Sequence, residues 1–321
     1  MKLAGIQLQN FRQFRHLELD FTDSLGRIRD VSMLVGPNAS GKTSVLDAIA
    51  LAIGPTTKRP SARPDLVLSP ANIVRHGAVR AHVTCRLVFT EEEIEATRQL
   101  FKIAEEPTQI PDATEVTLTW SYPDEGGQQG QTQCEPEGSF RLLQARAKVA
   151  QLFTTRAVDW SWFSKVGAIF TFDQQRLAWA KRIPPSVWEV IQGGLSVDAS
   201  ADGQGVRASS DPRVILLAMA IKAKLKEGGL SSRQLEAVAQ RFAIICSPHR
   251  LLGATENPAG EAELHFIDGD GNEYLYEGLS SGQRILLAML VRMVSDHVHR
   301  SLVLVDEAEL HLHPVWQQRL L

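Results

Sequence analysis

Apolar and polar residues alternate along several short stretches of the chain, and each such stretch predicts a half-buried β-strand. These strands are predicted at residues 3–9, 15–21, 79–89, 114–122, 261–266 and 273–276. Three other stretches are continuously apolar, which predicts strands buried on both faces: residues 31–35, 166–172 and 301–305.

Apolar residues at helical spacing predict six longer helices, with a capping signal at Thr90 before three glutamates. They cover residues 44–53, 91–104, 140–153, 212–227, 232–242 and 284–298. Stretches rich in Gly, Pro, Ser, Thr or Gln predict loops between these elements. They lie at residues 54–70, 123–139 and 193–210.

Composition narrows the class of protein. A chain of 321 residues with 44% hydrophobic content fits one large globular domain or two smaller ones. The net charge of −3 argues against a generally basic nucleic-acid binder. Three widely spaced cysteines suit a reducing, cytoplasmic setting. We expect no signal peptide, and the sequence has no run of about 18 apolar residues to span a membrane.

A glycine-rich motif lies between a predicted strand and a predicted helix: Gly36-Pro37-Asn38-Ala39-Ser40-Gly41-Lys42-Thr43. Glycine, four residues and then Gly-Lys-Thr is the pattern of a phosphate-binding loop, and strand–loop–helix is the context it needs. The loop N–H groups and the helix N-terminus at Ser44 form an anion site. We expect Lys42 to reach the β- and γ-phosphates of ATP and the Thr43 hydroxyl to bind Mg²⁺.

A second helix N-terminus carries hydroxyl groups. It follows the strands predicted at residues 261–266 and 273–276 and has the sequence Leu279-Ser280-Ser281-Gly282-Gln283. A serine cap, exposed hydroxyls and the positive end of the helix dipole predict a second phosphate site. By itself the pattern is equally typical of an ordinary capped helix.

The apolar stretch at residues 301–305 ends in two acids, Asp306 and Glu307. Asp306 is expected to hold Mg²⁺ through water, and Glu307 to polarise the attacking water. Adjacent carboxylates after a buried strand are unfavourable unless a cation or solvent is present. The alternative is a strand that ends in a solvated acidic turn.

Three other polar stretches are less specific. The segment around Arg12, residues 10–15, could contact a nucleotide or form a hairpin turn with solvated arginines. Gln174 and Gln175 follow the apolar stretch at residues 166–172, where a nucleotide-sensing residue and a plain turn fit equally well. Residues 268–272 resemble the start of a calcium loop but lack its downstream glutamate, so we interpret them as a turn.

The three motifs, in this order, resemble the ATP-binding cassette (ABC) ATPase head, and in particular its SMC/RecF-like and OLD-type (overcoming-lysogenisation-defect) branch. The opening at residues 8–14, Leu-Gln-Asn-Phe-Arg-Gln-Phe, and the ending at residues 306–314 are similar to that branch. The resemblance implies ATP and Mg²⁺ as cofactors and a homodimer around two ATP molecules. Its signature element would bind the partner subunit's γ-phosphate through residues Ser280, Ser281, Gly282 and Gln283. With its position in the turn, Arg12 joins the expected ATP-binding residues.

The resemblance also assigns two further roles. Gln174 or Gln175 would be the glutamine that contacts Mg²⁺, and Leu312 with His313 would cross the dimer interface. The family has a further strand with a γ-phosphate-contacting histidine, which we expect to be missing before Leu321. We therefore expect either a piece of a longer protein or a naturally short chain, which would lack that strand and any C-terminal nuclease domain.

The fold class that the resemblance predicts is α/β, a P-loop NTPase with a mixed central sheet and an inserted, mainly helical region. We expect a single domain over residues 1–321. Its core segments would be residues 1–90, 165–180 and 260–321, with the insertion at about residues 91–259. The insertion lacks the sustained heptads of a long coiled coil.

Three function classes follow from this resemblance. The leading hypothesis is an ATPase that dimerises around ATP and drives a DNA-directed or antiphage-defence effector such as a nuclease. The second is a nucleotide-sensing scaffold that holds a toxin or nuclease partner with little turnover. The third, a transporter ATPase subunit, is disfavoured by the extended middle and the Asn-Phe-Arg start. DNA stays open as a partner, and no membrane partner is expected.

Overall fold

The computed structural model describes residues 1–54, 69–106, 109–123, 130–172, 212–224, 229–258 and 262–307. The chain divides into two compact units. The first unit holds residues 1–173 and 298–306, and the second holds residues 174–297 and 307–321.

Both units contain strands and helices. The strands are β1 (Lys2–Phe11), β2 (Phe14–Asp20), β3 (Ala81–Val88), β4 (Glu115–Tyr122), β5 (Gln131–Glu135), β6 (Ile169–Phe172), β7 (Arg250–Glu256), β8 (Ala262–Ile267), β9 (Glu273–Leu275) and β10 (Leu302–Val305). The helices are α1 (Lys42–Ile53), α2 (Pro70–Ile73), α3 (Glu91–Ile103), α4 (Phe140–Thr154), α5 (Pro212–Lys224), α6 (Gly229–Ile245) and α7 (Ser281–Ser295).

The first unit contains a five-stranded antiparallel sheet in the order β2-β1-β3-β4-β5. Alternate residues of β3 and β4 are buried, as the period of two predicts. Leu8 of β1, for example, pairs with Leu17 on one side and Val83 on the other. The apolar face of this sheet forms one wall of the main core.

A separate pair of parallel strands, β6 and β10, packs into the same core. Ile169 of β6 and Leu304 of β10 share that core with Val45 and Ile49 of α1. Because α1 follows the phosphate loop and β10 precedes Asp306, this packing brings the two motifs together.

A second, smaller core of the first unit lies between α3 and α4. The predicted cap at Thr90 is present: its Oγ1 accepts a hydrogen bond from the Glu93 N–H, and Glu93 reaches back to the Thr90 N–H. Leu100 and Val149 are buried between the two helices.

The second unit combines α5, α6 and α7 with the antiparallel sheet β7-β8-β9. The β8–β9 hairpin closes through the predicted turn, where Asp268 accepts hydrogen bonds from the N–H groups of Asp270 and Asn272. The Asp268 carboxylate thus stabilises the turn itself. The interpretation as a turn is confirmed.

The α/β fold, with both parallel and antiparallel pairing, is confirmed. The buried strand predicted at residues 31–35 is wrong. Val31, Met33 and Val35 are 55%, 62% and 85% exposed, and Leu34 packs partly against the core. A strand buried on both faces needs neighbours for its backbone. No described strand pairs with residues 31–35, so these residues do not form a sheet with β10.

Two further strands were not predicted. β5 lies within the stretch 123–139, which the sequence predicts as a loop, because its residues are mainly polar and it forms an edge of the sheet. β7 contains Gly253 at a register shift with φ +136°, and a glycine at a bulge interrupts the strand pattern. β4 and β5 lie in the predicted insertion, yet they extend the sheet of β1 and β3. The single-domain division stays a prediction.

Candidate functional site

The phosphate loop enters α1 through Gly41, whose φ of +98° lies in the region that favours glycine. A Cβ at this position would lie 2.0 Å from Gln13 Nε2 and 2.4 Å from Phe14 Cζ. The turn between β1 and β2 therefore sits directly on the loop. A Cβ at Gly41 would be strained by the left-handed backbone and would also have to displace the ends of these two side chains.

Lys42 folds back over the loop. Its Nζ donates hydrogen bonds to the main-chain oxygens of Gly36, at 2.9 Å, and Pro37, at 3.0 Å. The loop is closed further by the Ser40 N–H, which donates to Pro37 O at 3.2 Å. Hydrogen bonds between two charged groups are stronger than those to neutral carbonyls, so a phosphate would compete well for this ammonium group.

The end of β10 meets the start of α1. Thr43 Oγ1 lies 3.1 Å from both carboxylate oxygens of Asp306, although the two residues are 263 positions apart. Asp306 is only 4% exposed, and its N–H donates to Phe172 O at 2.9 Å, which fixes it at the end of the β6–β10 pair. A hydroxyl and a carboxylate side by side are the hard oxygen ligands that Mg²⁺ prefers. The residues present therefore fit this ion.

Glu307 follows with a φ of +49°, an uncommon conformation for a residue other than glycine. Such conformations occur more often at functional sites. Gln174, Gln175, Leu312 and His313 lie outside the described residues.

Arg12 links the β1–β2 turn to α1. Its Nη1 donates to Asp47 Oδ2 at 2.7 Å and to Ser44 Oγ at 3.2 Å. Ser44 Oγ in turn donates to Gln13 Oε1 at 3.3 Å. The prediction of a solvated turn arginine does not describe this residue, because Arg12 is anchored beside the phosphate loop.

Asp47 was missed from the sequence, although a signal was present. It is the one acidic residue of α1, it lies among apolar neighbours, and it is buried. Buried carboxylates need a partner. A search for the partner of this acid would have pointed to the nearby arginines of the Asn-Phe-Arg-Gln-Phe-Arg turn.

The signature element lies in the second unit, at the start of α7. Ser280 Oγ accepts a hydrogen bond from the Gln283 N–H, and the Gln283 side chain accepts one from the Ser280 N–H. Gly282 and Gln283 are buried, while Ser280 and Ser281 are exposed. The Ser280 hydroxyl accepts in this capping box, so its own proton remains for an external acceptor.

Two negative observations apply to the part of the chain that the structure describes. It holds no cluster of three or more His, Cys, Asp or Glu side chains placed to bind a metal ion. None of its helices has the length and apolar character needed to cross a bilayer.

Family models match most of both halves of the chain. The model described as "AAA domain" matches residues 6–154. The model described as "AAA domain, putative AbiEii toxin, Type IV TA system" matches residues 200–321.

Relatives in sequence include two proteins of DNA repair. The DNA replication and repair protein RecF of Bacillus mycoides is 43% identical over 49 residues, which are 15% of this chain and 12% of the relative. The DNA double-strand break repair Rad50 ATPase of Saccharolobus solfataricus is 27% identical over 121 residues, which are 37% of this chain and 12% of the relative. The chain thus matches a small part of each relative.

A solved structure covers nearly all of the chain. It is an SmcHead bound to the C-winged helix domain of ScpA, with a TM-score of 0.50 and 16% identity. The alignment covers 99% of this chain and 92% of that one. At this identity the likeness concerns the fold.

Proposed function

Because the chain is an ATPase head of the SMC/RecF-like ABC type, we propose that it binds and hydrolyses ATP with Mg²⁺. The contact between Thr43 and Asp306 carries this proposal, since it joins the phosphate loop to the acidic strand end within one unit. A solvated acidic turn would give no reason for Asp306 to be buried against that hydroxyl.

The side chains divide the work of binding. Lys42 exchanges its two carbonyl acceptors for the β- and γ-phosphates, while the main-chain N–H groups at the start of α1 would donate to the phosphates. Thr43 and Asp306 would hold Mg²⁺, which when bound offsets the charge of the phosphates. Both described hydrogen bonds of Arg12 come from Nη1, so its other donors can reach the nucleotide while the ion pair with Asp47 persists.

Glu307 is our candidate for the general base. It directly follows Asp306, two residues after the end of β10, and its backbone is left-handed rather than extended. Its carboxylate would accept a proton from the water that attacks the γ-phosphate. Gln174 or Gln175 would complete the ligands of the ion.

The signature element would act on the nucleotide of a second copy. Ser280, with its proton unused in the capping box, and the exposed Ser281 would donate to that γ-phosphate, while the buried Gly282 and Gln283 hold the helix start in place. The proposed assembly is a cytoplasmic homodimer around two ATP molecules. Its output would be a DNA-directed or defence-related effector such as a nuclease, since the relatives named above act in DNA repair.

The description of the second family model favours an alternative output, a toxin–antitoxin system. In that case the chain would sense ATP with little turnover while it holds a toxin or nuclease partner. Turnover separates the two functions, because a sensor needs no general base.

The experiment measures ATP affinity and phosphate release for the wild type, Lys42→Ala and Glu307→Gln. We expect Lys42→Ala to weaken ATP binding at least about a hundredfold, because the bound phosphates lose their ammonium partner. Glu307→Gln should bind ATP normally and release phosphate at least about a hundredfold more slowly. Lys102→Ala, which removes an exposed lysine of α3, is the control.

Unchanged ATP affinity in Lys42→Ala would overturn the proposed site. Normal affinity with equally slow phosphate release in the wild type and Glu307→Gln would favour the sensor instead.

A further inference from the structure

We propose that Arg300 and Ser301, opposite Gly167, are positioning residues that set the register of β10 and thereby hold Asp306 against Thr43. We call these three residues the register bracket. The inference rests on the proposed function of Asp306. It concerns residues that lie outside the phosphate loop, the signature element and the acidic strand end.

The pair formed by β6 and β10 is short enough to need such a device. Each strand has four residues, and among the described residues β10 pairs with β6 alone. A slip of one residue would move Asp306 by about 3.3 Å and turn its side chain to the other face. The 3.1 Å contacts between Thr43 and Asp306 would then be lost.

The main chain before β10 fits that of β6 closely. Leu302 N–H donates to Ala168 O at 2.9 Å, and Ala168 N–H donates to Ser301 Oγ at 3.0 Å. The Ser301 hydroxyl donates its own proton to His299 O at 2.6 Å. Ser301 therefore extends the strand pairing by one side-chain hydrogen bond, in one register only.

Gly167 restricts the register of β10 against β6 in a second way. A Cβ at this position would lie 2.1 Å from Arg300 O, so only glycine lets the two main chains approach this closely. Any register that moved a different part of the chain against Gly167 would lose this fit. The two restrictions act at the same end of the strand pair.

The Arg300 side chain fastens this end to α3. Its Nη1 donates to Thr90 Oγ1 at 3.0 Å, and its Nη2 pairs with Glu92. Thr90 is the cap of α3, and its own oxygen is fixed by the Glu93 N–H. Arg300 O also accepts a hydrogen bond from the Met1 amine at 2.8 Å. The register bracket therefore contacts the start of α3 as well as β6.

An exposed ion pair alone contributes little to stability. The bracket therefore predicts a local effect on β10 rather than a general loss of stability. Arg98 offers a matched control: its side chain is 34% exposed against 35% for Arg300, and it pairs with an exposed carboxylate, that of Asp112. The hydrogen bonds and ion pairs described for Arg98 go to Glu95, Ile110 and Asp112, none of which belongs to β10.

The experiment compares the full chain with Arg300→Ala, Ser301→Ala and Arg98→Ala by hydrogen–deuterium exchange without nucleotide. We expect the amides of residues 302–306 to exchange at least about ten times faster in the two bracket variants than in the wild type. Arg98→Ala should match the wild type there. Arg300→Lys can keep one of the two side-chain partners, so its exchange rate at residues 302–306 should lie between those of the wild type and Arg300→Ala.

A second measurement titrates Mg²⁺ against the affinity for a fluorescent, non-hydrolysable ATP analogue. The bracket variants should need about tenfold more Mg²⁺ to tighten binding, as when residues behind a metal ligand are lost. Their affinity without Mg²⁺ should equal that of Arg98→Ala. Exchange at residues 302–306 that is the same in the bracket variants and in Arg98→Ala would overturn the bracket. If the nucleotide affinity of the wild type does not depend on Mg²⁺, the proposed function is wrong. The register bracket is then tested by the hydrogen–deuterium exchange result alone.

Discussion

Gly41 shows how a single residue in the phosphate loop meets two requirements at once. Its backbone is left-handed, and the side chains of Gln13 and Phe14 occupy the space where a Cβ would lie. Gly26 has a similar φ of +75°, but a Cβ added there would have no other atom within 4 Å. Comparison of Gly41 with Gly26 therefore separates the free-energy cost of a left-handed backbone from the cost of a steric contact.

We predict that Gly41→Ala destabilises the protein more than Gly26→Ala and also weakens ATP binding. Backbone strain alone should cost about 1 kcal/mol in both variants. In Gly41→Ala the displaced turn should add about 1–3 kcal/mol, as overpacking does. Thermal unfolding and ATP titration measure the two effects. Equal losses of stability in both variants would mean that the β1–β2 turn does not rest on the loop.

At the scale of elements, Arg12 and Asp47 join a hairpin turn to the helix that begins at the phosphate loop. The Asp47 side chain is 5% exposed and that of Arg12 is 21% exposed, so the pair is largely desolvated. Removing one partner of such a pair leaves a charge without its counterion. Removing both leaves no such charge.

We therefore predict that Asp47→Ala costs about 2–4 kcal/mol, and that the double variant with Arg12→Ala costs less than the sum of the single ones. Urea unfolding of the four proteins gives the coupling free energy. Additive losses would show that the turn and α1 are held together by other contacts.

The sequence predicted most of these elements because their burial follows their own periodicity. β1, β3, α3 and α7 each show a regular apolar face, and each was found within a few residues of its predicted ends. Residues 31–35 carry an equally apolar pattern, but burial of a strand depends on partners that a local pattern does not contain. The proximity of Thr43 and Asp306 could be expected because each belongs to a recognised motif. Asp47 and Arg300 belong to no motif, so only their contacts in the structure identified them.

At the scale of the whole molecule, burial of thiols makes stability depend on pH. Burial raises the pKa of the Cys85 thiol from about 9 to about 12, and burial, with the charge of Glu135, raises the pKa of Cys134 to about 11. In the unfolded chain these thiols ionise near pH 9, whereas the folded protein keeps the proton. Between these values the unfolded state binds fewer protons, so stability falls as pH rises.

We predict that the unfolding free energy decreases above about pH 9, with Cys85 contributing up to about 1.4 kcal/mol per pH unit. Cys85→Ala should lower stability at neutral pH through the lost packing, and its pH slope should be shallower than that of the wild type. Urea unfolding at pH 7.5, 9 and 10 measures both slopes. If the unfolding free energies of the wild type and Cys85→Ala decrease with pH at the same rate, the Cys85 thiol does not cause the pH dependence.

The proposed dimer gives the last prediction. Glu307→Gln should keep ATP bound and hold two copies together, because hydrolysis no longer releases them. Ser280→Arg should leave ATP binding to one copy intact and prevent dimerisation, since a bulky cation would block the approach of α7 to the partner's phosphate. Light scattering with ATP and Mg²⁺ measures the mass of each variant, with the exposed Ser232→Arg of α6 as the control. A Glu307→Gln protein that stays monomeric at saturating ATP would contradict the sandwich.

The distance along the chain between Thr43 and Asp306 also has a consequence for how the protein is made. The loop and its carboxylate are 263 residues apart, so they cannot meet until nearly all of the intervening chain has left the ribosome. At about 5–20 residues per second, synthesis leaves the loop without its carboxylate for roughly 10–50 s. Closing so long a loop is also a slow, late step of folding. A nascent chain should therefore acquire its Mg²⁺-dependent nucleotide affinity only after Asp306 has left the ribosome, later than all strands of the five-stranded sheet.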